Sequence, residues 1–160
     1  MTCWPTQQGR FTLGDVTLQS GATLPDAVLS WKTHGTLAPG RDNVIVYPTS
    51  YGAQHPDLEW LIGPDGILDP TRWFIIMPDM FANGLSSSPS NTPDWPGLVT
   101  SWDNVHAQRR LLSGAVRRGS GGVRVWLLDG RAAGLSLGGR VPGRGGQRGG
   151  GVRQRAHGGA

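Results

Sequence analysis

Trp73-Phe74-Ile75-Ile76-Met77-Pro78-Asp79-Met80-Phe81-Ala82-Asn83-Gly84 is the stretch whose reading decides the fold class. An apolar run, Phe74 to Met77, stops at a proline and gives way to polar, glycine-containing chain. A short apolar run bounded by turn signals reads as a buried strand, and strands buried on both faces belong to α/β sheets. The polar stretch after it, Leu85-Ser86-Ser87-Ser88-Pro89-Ser90-Asn91-Thr92, then lies at the strand's carboxyl end, where α/β folds bind ligands. A second run of the same build lies upstream, where Val44-Ile45-Val46-Tyr47 opens at Pro48 into Thr49-Ser50-Tyr51-Gly52. Two such strands predict a sheet with a site at one end.

Working outward, Phe11-Thr12-Leu13 and Val16-Thr17-Leu18 alternate around Gly14-Asp15, which predicts a β-hairpin. Ala27 to Thr33 predicts another strand, ended by His34-Gly35. Downstream, Thr100-x-x-Asp103 has the spacing of a capping box. Val105, Ala107, Leu111 and Leu112 come next, roughly along one face of a helix.

Arg41-Asp42-Asn43, Pro48-Thr49-Ser50-Tyr51-Gly52, Glu59-Trp60-Leu61-Ile62-Gly63, Leu68-Asp69-Pro70 and Asn83 to Pro93 together resemble the homoserine O-acetyltransferase family. The resemblance runs from about Phe11 to Leu112 and stops before the point where that family carries its nucleophile. It implies an α/β fold, specifically the N-terminal strands and first helices of a truncated α/β-hydrolase fold. It also implies acyl transfer from acyl-CoA, as co-substrate, to a small hydroxyl substrate such as homoserine through an acyl-serine. Ester hydrolysis is the alternative, since water can replace the acceptor. No bound cofactor is implied, and the full-length family suggests a homodimer.

In this fold one oxyanion-hole N–H comes from the loop after the central strand. The resemblance puts Ser50, or a neighbour one position away, in that role. The contribution is a backbone one, and a plain strand-ending turn is the simpler reading. Asn83, Gly84, Ser86 and Ser87 would line the substrate entrance, against the alternative of an ordinary polar loop. His34, His55 and His106 have no metal-ligand spacing, so no metal site is predicted and each reads as a turn or surface residue. The family's triad histidine lies further downstream, so none of the three inherits that role.

Composition divides the chain at about residue 112. Residues 1–112 hold 6 Lys and Arg against 10 Asp and Glu, whereas residues 113–160 hold 9 Arg against the single Asp129. Of the 26 glycines, 16 lie in those last 48 residues, and six of the seven tryptophans lie before them. A shift this sharp marks a boundary between an acyltransferase-like portion, 1–112, and a Gly/Arg-rich tail, 113–160, expected to be mostly disordered. Cys3 is the only cysteine, so no internal disulfide forms. The first residues lack a basic start and an apolar core, so a signal peptide is not expected, and no run reaches membrane-spanning length. The expectation is a cytoplasmic protein without a membrane partner.

The tail has three readings. Gly134-Leu135-Ser136-Leu137-Gly138 matches the Gly-x-Ser-x-Gly pattern of a nucleophile elbow, making Ser136 an in-frame candidate. An elbow needs a strand before it and a helix after it, yet Gly139-Arg140-Val141-Pro142-Gly143 cannot propagate a helix. An Arg/Gly-rich tail can also bind nucleic acid, but no Phe or Tyr is interleaved to stack on bases, so nucleic acid is not the expected partner.

The third reading is translation out of frame. A shift of one base fixes the outer bases of each new codon and frees the middle one. Trp126 to Ala133 then permits Gly, Cys or Phe, Ser, Met, Gly, Gly, Gln, Gln, while Ala115 to Trp126 permits Leu-Phe-Gly-Val-Asp-Arg-Val-Ala-Phe-Val-Tyr-Gly. Together these spell a strand, a Gly-x-Ser-Met-Gly-Gly elbow and the start of a helix. The shifted nucleophile falls across Leu128 and Asp129, so the chain itself has no intact triad. Without later strands, the central strand is expected to keep an unpaired edge and an uncovered apolar face.

Overall fold

The computed structural model describes residues 4–115, 125–129 and 132–136. Their strands form one sheet in the order β1-β2-β4-β3-β5-β6. These are β1 (Thr6–Thr17), β2 (Thr23–His34), β3 (Val44–Val46), β4 (Phe74–Pro78), β5 (Val125–Asp129) and β6 (Ala132–Ser136). β3 runs parallel to both β4 and β5, and the other three pairings, β1 with β2, β2 with β4 and β5 with β6, are antiparallel. The helices are α1 (His55–Leu58) and α2 (Ser101–Ala115), with a single 3-10 turn over Glu59–Leu61.

The two apolar runs form the parallel centre, as their composition predicts. Alternate side chains leave a strand on opposite faces. Val44 and Val46 join Ile76 and Leu111 on the α2 side, whereas Ile45 joins Ile75, Met77, Ile62 and Leu68 on the other. The chain between β3 and β4 covers that second face, so neither face of the centre is bare. β5 takes the free edge of β3, pairing Val44 with Val125 and Val46 with Leu127. The expected unpaired edge and uncovered face are therefore both absent among the described residues.

Two further expectations change. β1 does not turn back at Gly14-Asp15; it continues as one strand, and Gly14, with φ 66°, sits at a register irregularity opposite Ala27. The hairpin turn comes later, where Leu18 N donates to Ala22 O at 2.8 Å. A glycine next to a polar residue signals a bulge as readily as a turn, and here pairing with a 12-residue partner strand decides.

Along α2, the buried face is Asp103, Asn104, Ala107, Gln108 and Leu111, while Val105 is exposed. The capping box is formed: Thr100 N donates to Asp103 Oδ2 at 2.8 Å, and Asp103 N to Thr100 Oγ1 at 3.4 Å. Asp103 Oδ1 also accepts Gln19 N at 2.7 Å, which fastens the helix start to the β1–β2 turn. No helix among the described residues is long and apolar enough to cross a membrane.

Only the two residues between Asp129 and Ala132 separate β5 from β6. A parallel return needs a crossover of about a dozen residues or more, so an antiparallel hairpin is the geometry left. The rest of the tail lies outside the described residues.

Candidate functional site

The loops that leave β3 and β4 at their carboxyl ends lie side by side and are tied together. Thr49 N donates to Pro78 O at 3.1 Å, and Met80 N donates to the Thr49 hydroxyl at 3.0 Å. Ala53 N closes the turn onto Ser50 O at 3.0 Å. Ser50 and Tyr51 stand outside this packing, with Tyr51 92% exposed. Neither residue's N–H has a partner among the described residues, so each is placed to donate to an anionic oxygen. The family resemblance implies an oxyanion donor at this turn, at Ser50 or its neighbour.

Asp79 is the hub beneath the turn, and it is fully buried. Its Oδ1 accepts His55 N at 2.9 Å and Asn83 Nδ2 at 3.0 Å, while its Oδ2 lies 2.7 Å from His55 Nδ1. His55, expected at a turn or the surface, is thus buried and paired. Its place one residue before Pro56 hid this, because the partner is 24 residues away. A carboxylate placed directly after an apolar strand, as Asp79 is, was the available signal: a group buried there needs partners.

Three of the four residues proposed for the substrate entrance are buried and occupied in the loop itself. Asn83 donates to Ala53 O at 3.0 Å and accepts Leu85 N and Ser86 N. Ser86 Oγ accepts Ser30 N and donates to Asp79 O, and Ser87 Oγ accepts Val28 N. These hydroxyls extend the edge of β2 past the end of β4. Gly84 alone of the four is exposed, with φ 93° and Gln54 Nε2 within 3.3 Å of where a Cβ would stand. A hollow of about 360 Å³ borders the same loop, lined by Arg10, Asp26, Ser87, Asn91 and Asp94 and not by the Thr49–Gly52 turn.

The other two described histidines are His34 and His106. His34 is buried, accepts Trp4 Nε1 at 3.2 Å through Nδ1, and its Nε2 has no partner among the described residues. Burial lowers its pKa; Glu59 opposes the shift, and Lys32 and His55 add to it. His106 stacks on Trp102 with ring centroids 3.6 Å apart. Among the described residues no group of three His, Cys, Asp or Glu side chains could hold a metal ion.

β5 pairs in parallel with β3 on the side away from β4. Leu128 lies one residue past its last pairing with β3, and Ser136 ends the antiparallel β6, opposite Trp126. Residues 137–160 lie outside the described residues.

Solved structures superimpose on about two thirds of this chain. An acetylester hydrolase from Corynebacterium glutamicum superimposes with a TM-score of 0.63 at 35% identity, over 68% of this chain and 33% of that one. The N-terminal part of this chain has the α/β-hydrolase fold. Among curated proteins, an ethyl acetate hydrolase from Pseudomonas veronii is 36% identical over 107 residues, 63% of this chain and 31% of its own length. A homoserine O-acetyltransferase from Chlorobium luteolum is 37% identical over 132 residues, 74% of this chain and 34% of its own. The chain thus spans about a third of the length of the curated relatives it matches. No family model matches it.

Proposed function

We propose that residues 1–112 are the front part of an enzyme of acyl transfer through an acyl-serine, and that the gene continues this enzyme in a frame shifted by one base. The observation that carries the proposal is the turn at the end of β3, where the Ser50 and Tyr51 N–H groups have no partner among the described residues. In such a site the serine Oγ adds to an acyl carbonyl, and the resulting oxyanion takes N–H bonds from the Ser50 turn and from the residue after the serine. The alcohol or thiol then departs with a proton, and the acyl-serine is cleaved by the acceptor. An acyl-CoA donor and a small hydroxyl acceptor such as homoserine make the enzyme a transferase. Water as acceptor makes it an esterase, a reading favoured by the ester-hydrolysing relatives. Leu128, level with the end of β3, marks where the shifted-frame serine would fall.

The test compares the 160-residue chain with the product of a gene corrected by one base near the codons for Leu111 to Gly114. Only the corrected product is expected to release a burst of p-nitrophenol from p-nitrophenyl acetate. Supplying acetyl-CoA and homoserine to it then separates transfer from hydrolysis. Turnover by the 160-residue chain that disappears in Ser136→Ala would overturn the proposal and make Ser136 the nucleophile.

A further inference from the structure

The buried His55–Asp79 pair is assigned no part in the chemistry above. We infer that it is a positioning device that holds the Ser50 turn in register with the loop after β4, an inference that rests on the oxyanion reading of that turn. Four hydrogen bonds converge on the few residues after the turn. His55 meets Asp79 through both its backbone N–H and its ring, Asn83 reaches Ala53 O at 3.0 Å, and Gln54 Nε2 reaches Asn83 O at 2.9 Å. Asp79 is itself fixed, its N–H donating to Ser30 O at 2.9 Å and its carbonyl accepting Ser86 Oγ at 2.8 Å. The turn is therefore fastened at both ends. Thr49 secures its start to Pro78 and Met80, and His55 secures its exit to Asp79. Only Ser50 to Gly52 project, which is what an amide preorganised for an anion requires.

The arrangement discriminates between variants. Asp79→Ala removes both acceptor oxygens and leaves the His55 N–H and ring nitrogen buried without a partner. Asp79→Asn keeps one oxygen for His55 N–H and Asn83, and its amide can donate to His55 Nδ1 once the ring takes the other neutral tautomer. His55→Ala removes the ring alone and guards against an Asp79→Ala chain that fails to fold.

The test measures hydrogen exchange of the Ala53, Gln54 and His55 amides in the 160-residue chain, against amides of β1 as an internal reference. Loss of the bonds at the buried Asp79 carboxyl group is expected to speed their exchange by about tenfold or more in Asp79→Ala and His55→Ala, with β1 unchanged and Asp79→Asn intermediate. Unchanged exchange at these three amides in His55→Ala would overturn the inference. In the frame-corrected enzyme the same variants are expected to lower kcat by about 10- to 100-fold with KM within twofold, because a displaced donor weakens the transition state more than substrate binding. If exchange speeds up but kcat does not fall, the anchoring stands and the oxyanion reading of Ser50 is what fails.

Discussion

The loops after β3 and β4 and the hairpin of β5 with β6 lie in the same sheet, yet they are built on different principles. In the loops, buried polar groups find partners: Asp79 serves His55 and Asn83, Ser86 serves Ser30, and Asn104 Oδ1 accepts Phe81 N at 2.7 Å. Local sequence, strand pairing and side-chain bonding all specify the same geometry there. β5 has the apolar composition of a buried strand and docks on β3, but its continuation is a two-residue link and an antiparallel return. A catalytic serine needs a strand, a tight turn and a helix in succession at that place. The contrast teaches that apolar patterning alone suffices to fill a sheet position, whereas a site requires several levels of specification to agree.

The sharpest way to break this comparison is through activity. Correcting the frame is expected to raise ester cleavage above the 160-residue chain by about 10⁶-fold or more, the lower range of enzymatic rate enhancement. A stopped assay with p-nitrophenyl acetate reads this directly, and a comparable rate in the two proteins would erase the distinction between the regions.

Stability should show the same division. Ile76 is buried between β3 and α2, packed with Val44, Val46 and Leu111. Ile76→Ala is expected to cost about 2–5 kcal/mol in urea unfolding. Removal of residues 137–160 is expected to change the unfolding free energy by less than about 0.5 kcal/mol. A large loss on removing them would tie the tail to the fold.

At the α2 start, Asp103→Ala is expected to cost about 1–2 kcal/mol, since the carboxylate caps Thr100 and holds Gln19. Burial raises the Asp103 pKa, but the bonds from Thr100 and Gln19, with His106 nearby, bring it below 3.8. Its contribution is therefore present above the unfolded pKa and is lost as pH falls below about 4. Equal acid sensitivity of wild type and Asp103→Ala would count against this.

The smallest effect concerns His34. Its lowered folded pKa means that below 6.5 the unfolded chain takes up a proton which the folded chain resists. Stability should decline on acidification from that point, by no more than about 1.4 kcal/mol per pH unit, and His34→Gln should flatten the slope. An unchanged slope would show that the proton is taken up elsewhere.

Much of the fold is legible because its signals are local. Val44–Val46 and Phe74–Pro78 announce themselves as apolar runs ended by proline, and Thr100 with Asp103 announces a helix start. Gly14 misleads because a bulge and a hairpin turn use the same residues, and only the length of β2 separates them. The site is half legible. The Thr49–Gly52 turn is expected from its strand, but the His55–Asp79 pair joins residues far apart in sequence, and no periodicity records such a contact. Ser86 and Ser87 read as a polar surface loop because composition cannot reveal that each hydroxyl has a backbone partner on β2.

The most direct test of the central claim is the nucleotide sequence across the codons for Leu111 to Asp129. A shifted tail predicts a gain or loss of one base near Leu111 to Gly114 relative to an open frame that continues past the codon for Ala160. In that frame the codon bridging Leu128 and Asp129 reads as serine and the next as methionine. Bases at that junction that exclude serine, or a stop soon after it in the alternative frame, would contradict the shift and leave the Arg/Gly tail as genuine sequence.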